Sequence, residues 1–404
     1  MYYCRACKNE MTPFFSLGKI PLVNSFLKKG QLKKERKFDL TVAFCPNCYL
    51  TQLTKTINPK ELFTDYIYFS GTSKLFLKHC EQLSKYLTKR LKLNSKSLVL
   101  EIASNDGSFL QYFKKLGIKV LGIDPAKNIA AAANRRGVKT INEFFNLKTA
   151  KKLKKEKNVQ ADLIFGANVL AHVPNIVDFV KGVKVSLKPQ GTAIFEFPYL
   201  RGLFENKFDI IYHEHVFYYS LIALQNLFKL ADLEIYDVEI TPMQGGSLLI
   251  YISHPNVFKI SDKVKKLKNK ELQEGFHKIS TYKKMNKNVT KLKKDLITLL
   301  DNIKNKNKTI AAYSAPAKGI ILLNYFGIDS KYVDFIVDKA KEKQNLYVPG
   351  VHLLVYPPEK IIKDMPDYTI ILCWNIADEI IKQLSVYKKN KGKFIIPVPK
   401  IKIV

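Results

Sequence analysis

The chain reads as an α/β protein in three parts: a small N-terminal unit tied by cysteines, a doubly wound parallel-sheet domain, and a second α/β domain at the C-terminus. Three observations predict this. The 404 residues exceed what one hydrophobic core ordinarily serves. Four cysteines stand in two close pairs near the start. Short apolar strand patterns alternate with amphipathic helical stretches twice, from about residue 97 and again from about residue 309. The expected boundaries are 1–70, 71–255 and 256–404.

The N-terminal unit rests on Cys4, Cys7, Cys45 and Cys48, two C-x2-C pairs separated by 37 residues. Each pair can turn two thiolates toward one point, and two such knuckles supply the tetrahedral four-sulfur shell that Zn²⁺ favours. A disulfide or a redox C-x-x-C is the competing reading; neither the expected cytoplasmic setting nor a thioredoxin-like context supports it. A four-thiolate shell leaves no open position, so the metal is expected to hold structure. Cys80 and Cys373 read as small buried hydrophobes.

In the middle part Ser97–Ile102 is a buried-strand pattern, 103–108 a turn, and Phe109 onward a helix. Further strands are expected at Lys119–Ile123, Val138–Asn142, Asp162–Gly166 and Thr192–Glu196, the last preceded by a turn at Leu187-Lys-Pro-Gln-Gly191. Such a sheet binds its ligand beyond the carboxyl ends of the strands. Asp124 ends the second strand, 23 residues after Glu101, where a carboxylate can accept both hydroxyls of a ribose. No G-x-G-x-x-G cradle follows the first strand; Ala103, Asn105 and Gly107 form a looser turn. Grip on a ribose without a diphosphate nest fits S-adenosylmethionine (SAM) better than NAD. An unrelated α/β domain with acidic strand ends is the competing reading.

Tyr212-His213-Glu214-His215-Val216-Phe217-Tyr218-Tyr219-Ser220 packs two imidazoles, a carboxylate and several phenols into nine residues. If the segment is extended, His213 and His215 share a face and a metal is conceivable, although the H-E-x-x-H spacing is absent. Structural burial is a second reading. Catalysis is the favoured one, because successive titratable side chains are hard to bury without purpose.

Lys and Arg total 67 against 35 Asp and Glu, a formal charge of +32, which invites a nucleic-acid partner. Only six of the 67 are arginine, the residue that reads phosphate and guanine bidentately, and the lysines are scattered as pairs. No nucleic-acid partner is expected. No apolar run approaches the ~18 residues of a membrane helix, and MYYCRACKNEM carries no secretory h-region. The chain is therefore expected in the cytoplasm, without a membrane partner, as a monomer or small homo-oligomer.

Glu101-Ile-Ala-Ser-Asn-Asp-Gly107, Gly122-Ile-Asp124, Asn168-Val-Leu-Ala-His-Val173 and Leu187-Lys-Pro-Gln-Gly191 together resemble class I SAM-dependent methyltransferases. More narrowly, the chain resembles the three-domain sugar C-methyltransferases of deoxysugar biosynthesis, of the C-3'-methyltransferase type, over nearly its whole length. That resemblance implies an N-terminal zinc domain, a central SAM domain and a C-terminal Rossmann-like domain that helps hold a nucleotide-linked 4-keto-deoxysugar. It implies a cofactor set of Glu101, Ala103, Ser104, Asn105, Asp106, Gly107, Asp124, Phe145 and Asn168. Ala103 departs from the family's usual glycine.

By position, the resemblance makes His215 the base that removes the proton beside the ketone, Glu214 its orienting partner, and Tyr212 a donor to the enolate oxygen. His172 and Tyr68 complete the catalytic set. Tyr66, Ser70, His213, Gly246, Ser247, Lys318, Lys343, Trp374 and Asn375 are the implied substrate contacts. Lys318, at a strand-turn-helix junction, can meet a phosphate, or be a solvated surface lysine. Leu248 stands where the family often has arginine. The alternatives are an O- or N-methyltransferase on a related small molecule, which would form no new C–C bond, and a zinc-containing RNA-binding or RNA-modifying protein, which would bind generic RNA with steep salt dependence.

Overall fold

The computed structural model describes residues 1–63, 69–72, 74–241 and 245–404. Tyr66 and Tyr68 lie outside the described residues, as does Gln244. Among the described residues the strands form three sheets.

The first sheet is antiparallel: Thr12–Pro21 pairs with Lys37–Phe44, which pairs with Thr51–Leu53. Its fourth strand is Phe217–Tyr218, contributed from the middle of the chain immediately after His215. The N-terminal sheet is therefore completed by a strand from the middle of the chain, and it grips the histidine segment directly.

The second sheet runs, edge to edge, Glu234–Thr241, Ser247–Ser253, Leu187–Pro198, Ala161–Ala167, Leu98–Ile102, Lys119–Ile123 and Thr140–Ile141. The last five are mutually parallel, and the first two form an antiparallel hairpin on their edge. Leu98–Ile102 is central, so the sheet reverses its winding there and opens a crevice at the strand's carboxyl end. The expected turn at 187–191 is not a turn. These residues open the long strand Leu187–Pro198, in which Leu187 pairs with Ala161 and, after a bulge, Thr192 pairs with Leu163. The Pro-Gln-Gly signal is absorbed by that irregularity, where an unpaired stretch tolerates proline.

The third sheet is parallel in the order Val355–Tyr356, Phe335–Val337, Ile310–Tyr313, Tyr368–Ile371 and Lys393–Ile396, closed by antiparallel Lys402–Ile403. The lysine-rich connection contains the helices Asp262–Gln273 and Ile279–Lys304. In the longer helix the buried stripe is Leu292, Leu296, Leu300 and Ile303. Leu299 is only half-buried, one position off the helical repeat that carries the face.

Two ties set the arrangement of these parts. Glu35 accepts hydrogen bonds from the Gly350 amide at 2.8 Å and His352 Nε2 at 3.0 Å, joining the N-terminal unit to the C-terminal sheet. Glu271, fully buried, accepts from the Leu221 and Ile222 amides at 2.7 and 2.9 Å and from the Tyr199 hydroxyl at 2.7 Å. It thereby satisfies orphan N–H groups at the start of the helix Leu221–Lys229. Glu271→Ala leaves three buried donors without an acceptor, and urea denaturation is expected to show a loss of roughly 2–4 kcal/mol.

Candidate active site

The two cysteine knuckles have the same backbone. Lys8 N donates to the Cys4 carbonyl at 3.0 Å and Tyr49 N to the Cys45 carbonyl at 2.9 Å, and both Lys8 and Tyr49 are left-handed, at φ 65 and φ 63. This brings Cys4 Sγ within 3.5 Å of Cys48 Sγ and Cys7 Sγ within 3.5 Å of Cys45 Sγ, all four within 4.8 Å of one another. Sulfur atoms on a tetrahedron around zinc stand about 3.8 Å apart, given Zn–S bonds of about 2.3 Å. The donors fit the metal. Asn9 Nδ2 donates to Cys7 Sγ at 3.4 Å, a contact that suits a thiolate.

At the crevice of the second sheet, Ala103, Asn105 and Gly107 adopt φ of 55, 47 and 77, so the chain coils tightly after Leu98–Ile102. A β-carbon on Gly107 would lie 2.9 Å from Val138 Cβ, so this position needs glycine for space as well as conformation. Asp124 accepts from the Asn105 amide and the Ala126 amide, both at 2.9 Å, which aims its carboxylate across the turn. Burial, reinforced by Asp106, raises its pKa to about 6. Glu101 is buried too, driven well above the usual carboxylate range by desolvation and then by Asp124 and Asp106; its Oε2 has no hydrogen-bond partner among the described residues. A cofactor that carries a sulfonium and an ammonium, with ribose hydroxyls to donate, matches this acidic, under-satisfied crevice.

Other residues of the expected cofactor set are placed differently. Asp106 is fully buried and already engaged by Ser108 at 2.5 Å, Arg136 at 2.7 Å and the Gly71 amide at 3.2 Å, so it braces the turn. Ser104 is buried beside Gly122. Phe145 packs into the core against Phe179, ring centroids 5.3 Å apart. Asn168 is left-handed at φ 59 and its amide donates to the Glu196 carbonyl at 2.6 Å, at the carboxyl end of Ala161–Ala167. The Ser70 amide donates to Asn105 Oδ1 at 2.9 Å, which lays residues 69–72 across the crevice.

The histidine segment turns at His213-Glu214, so the shared face that an extended segment would give His213 and His215 does not form. His213 points to the N-terminal sheet, its Nε2 3.3 Å from the Phe38 carbonyl. His215 faces His172, ring centroids 5.0 Å apart. A metal site built on this segment is not seen: among the described residues, the four cysteines are the clustered ligand set. His215 Nδ1 lies 2.9 Å from the Ile210 carbonyl, which can only accept, so Nδ1 carries the proton. Nε2 then holds the lone pair, and the Tyr212 hydroxyl donates to it at 2.7 Å. Desolvation, then the neighbouring His172, holds this imidazole well below its ordinary pKa, and desolvation lowers His172 to about 4. Both rings are neutral at pH 7. Glu214 is buried and accepts from Asn24 Nδ2 at 2.5 Å.

The C-terminal part meets this segment from the other side. Trp374 and Asn375 open a short 3-10 turn after Tyr368–Ile371, and the Trp374 indole N–H donates to Asp209 Oδ2 at 2.6 Å. Lys318, at the start of the helix Ala317–Phe326, lies 5.2 Å over the Trp374 ring; desolvation lowers its pKa. Gly245, at φ 87, abuts the same ring, where a β-carbon would come within 2.8 Å of Trp374. Gly246 and Ser247 follow, with Ser247 buried opposite Pro198 and Leu248 fully buried in the sheet. Lys343 stands apart from the histidines, held by the Ala315 carbonyl at 3.0 Å and Asp338 at 3.3 Å.

Asn24 and Asp209 are not among the residues that the sequence singles out. The visible signal for Asp209 was a lone acid in the run Phe208-Asp209-Ile210-Ile211.

Family models match a zinc binding domain at residues 4–63, a methyltransferase domain at 73–238 and a C-methyltransferase C-terminal domain at 242–399. The C-methyltransferase NovU of Streptomyces niveus is 31% identical over 99% of this chain and 96% of its own length. The chain belongs to the SAM-dependent C-methyltransferase family. This methyltransferase uses SAM, and its four-cysteine site is that of the family's zinc domain. Among solved structures, the PH0226 protein of Pyrococcus horikoshii OT3 is 19% identical, covering 48% of the methyltransferase and 97% of its own chain, with a TM-score of 0.37. A SAM-dependent methyltransferase from Clostridium acetobutylicum is 11% identical, covering 44% and 92%, with a TM-score of 0.35. Among the described residues, no helix is long and apolar enough to cross a membrane.

Proposed function

We propose that this C-methyltransferase alkylates a ring carbon beside the 4-keto group of a nucleotide-linked deoxysugar, at C-3', through an enolate generated by His215. The observation that carries the reading is the tautomer of His215: a neutral, buried imidazole whose Nε2 lone pair accepts the Tyr212 hydroxyl and whose ring faces His172. Carbon bound beside a ketone becomes nucleophilic only once a proton leaves, so C-methylation needs such a base.

In this reading Nε2 takes the proton as the Tyr212 hydroxyl gives up its hydrogen bond to that nitrogen. The released O–H then donates to the enolate oxygen, so charge is stabilised as it develops. The Ile210 carbonyl, not Glu214, orients the His215 ring; Glu214, steadied by Asn24, receives a sugar hydroxyl, and His172 offers a second neutral imidazole. The nucleotide lies toward Lys318, Trp374, Asn375 and the Gly246-Ser247 bend, with Lys343 behind them. Ser70 meets the crevice through Asn105, and Tyr66 and Tyr68 lie outside the described residues.

Bound SAM supplies an electrophilic methyl group that needs only in-line placement. Asp124 would hold its ribose, with Glu101, Asn105 and Asn168 around the rest; Asp106, Ser104 and Phe145 support the crevice wall from behind. Ribose hydroxyls donate best to an ionised carboxylate, and the raised pKa of Asp124 puts its protonation within the working range. SAM affinity is therefore expected to weaken as pH falls through about 6, and Asp124→Ala to raise the Kd at least about tenfold. Isothermal titration at pH 5 and pH 8 checks both; a Kd independent of pH removes Asp124 from the site.

The reaction is tested by incubating the protein in D2O with dTDP-, GDP- and UDP-linked 4-keto sugars and following the proton beside the carbonyl by NMR. Enzyme-dependent wash-out, and SAM-dependent methylation at that carbon, are expected. Methylation on oxygen without a new C–C bond refutes the proposal.

A further inference from the structure

Asp209 is a carboxylate that none of the steps above uses. It sits in the short 3-10 turn Phe208–Ile210 and is fully buried. Its Oδ2 accepts the indole N–H of Trp374, 165 residues away in the chain, and its Oδ1 has no hydrogen-bond partner among the described residues. The charge of Lys318 faces it, and Lys318 also stands over the Trp374 ring. A buried carboxylate is costly unless paired, so the turn is held where Trp374 and Lys318 can reach it. Phe208 locks the same turn from the other side, stacked on Phe326 with ring centroids 5.1 Å apart.

The next residue is Ile210, whose carbonyl decides the tautomer of His215. That decision is contested. If the carbonyl moved away, the proton could instead sit on Nε2 and be donated to the Tyr212 oxygen, which is already 2.7 Å away. The lone pair would then face Ile210 and not Tyr212. A small displacement of one turn therefore converts an available base into an unavailable one.

We propose that Asp209 is a positioning residue: anchored by Trp374 of the C-terminal part, it holds the 208–210 turn so that the Ile210 carbonyl keeps the proton on Nδ1 of His215 and the lone pair on Nε2. A ligand that engages Lys318 or Trp374 acts on this same turn. The proposal rests on the reading of His215 as the base.

The test uses full-length protein labelled with ¹⁵N-histidine, in native form and as Trp374→Phe, Asp209→Leu and the double variant; His215→Asn assigns the ring signals. Long-range ¹⁵N–¹H spectra of the native protein are expected to show His215 as the Nδ1–H tautomer, and of each variant to show a mixture. Exchange of the proton beside the ketone in D2O should fall about tenfold in kcat in each single variant, and no further in the double variant, because both act through one turn. The KM for SAM should not move, which a general loss of structure would not allow. Native SAM affinity certifies folding, and should Asp209→Leu fail that check, Trp374→Phe decides alone. An Nδ1–H pattern retained in the folded variants, or losses that multiply in the double variant, overturns the proposal. Failure of the base reading looks different: His215→Asn would keep exchanging while the tautomer still shifted in the Asp209 and Trp374 variants.

Discussion

Replacing His215 by asparagine is expected to abolish proton exchange beside the ketone and methyl transfer together, by roughly 10²–10⁴-fold, the contribution of a positioned general base. Asparagine keeps a polar side chain of similar reach but has no lone pair of useful basicity, so the loss isolates the proton transfer from packing. The pH dependence is the sharper measurement. Protonated imidazole cannot accept the proton, so activity falls on the acid side as pH drops through the His215 pKa. Desolvation and the neighbouring His172 hold that pKa well below 6.5. The exchange rate should accordingly stay level from pH 8 to pH 6 and lose its acid limb only at lower pH. An acid limb at about 6.5 would mean that the group titrating in the assay is exposed, and hence not this ring.

The second large effect lies far from the chemistry. Cys45→Ser is expected to strip the protein of zinc, measured by metal analysis, and to take catalytic exchange with it. Structural zinc sites contribute on the order of 10 kcal/mol or more to the folding of the modules they hold. Here the module is also a support. Thr51–Leu53 follows the Cys45–Cys48 knuckle and pairs with Phe217–Tyr218, and the Leu53 amide donates to the Val216 carbonyl at 2.8 Å, one residue from His215. Asn226 Nδ2 also donates to the Cys48 carbonyl at 3.3 Å. Loosening the knuckle releases the strand that holds His215 in place. A zinc-free variant with full exchange activity would separate the metal from the site and contradict this account.

Elements marked by local chemistry were readable before the fold was known. The C-x2-C pairs reported a metal site because two knuckles need only a few residues each. The strand Leu98–Ile102, its left-handed turn and Asp124 were legible because periodicity, turn residues and an acid at a strand end are all short-range signals. Reading failed where long-range pairing overrode local preference. Leu187–Gly191 carries turn residues yet lies in a strand, because Ala161 pairs with it across the sheet. The face that an extended Tyr212–Ser220 would give to both histidines is lost, because the chain turns at His213-Glu214 and sends the two rings in different directions.

What the sequence determined by itself was the inventory: four thiolates at ligand spacing, acids at two strand ends, and a dense run of titratable side chains. Only the tertiary structure decided which of those groups can act, and how. Asn24 reaches Glu214 across 190 residues and Trp374 reaches Asp209 across 165. The proton on His215 is assigned by a carbonyl whose position depends on such contacts. Residue type sets what a side chain is able to do. Which nitrogen bears the proton, and whether the ring stays neutral, depends on dielectric and hydrogen-bond partners, and those exist only once distant segments have packed.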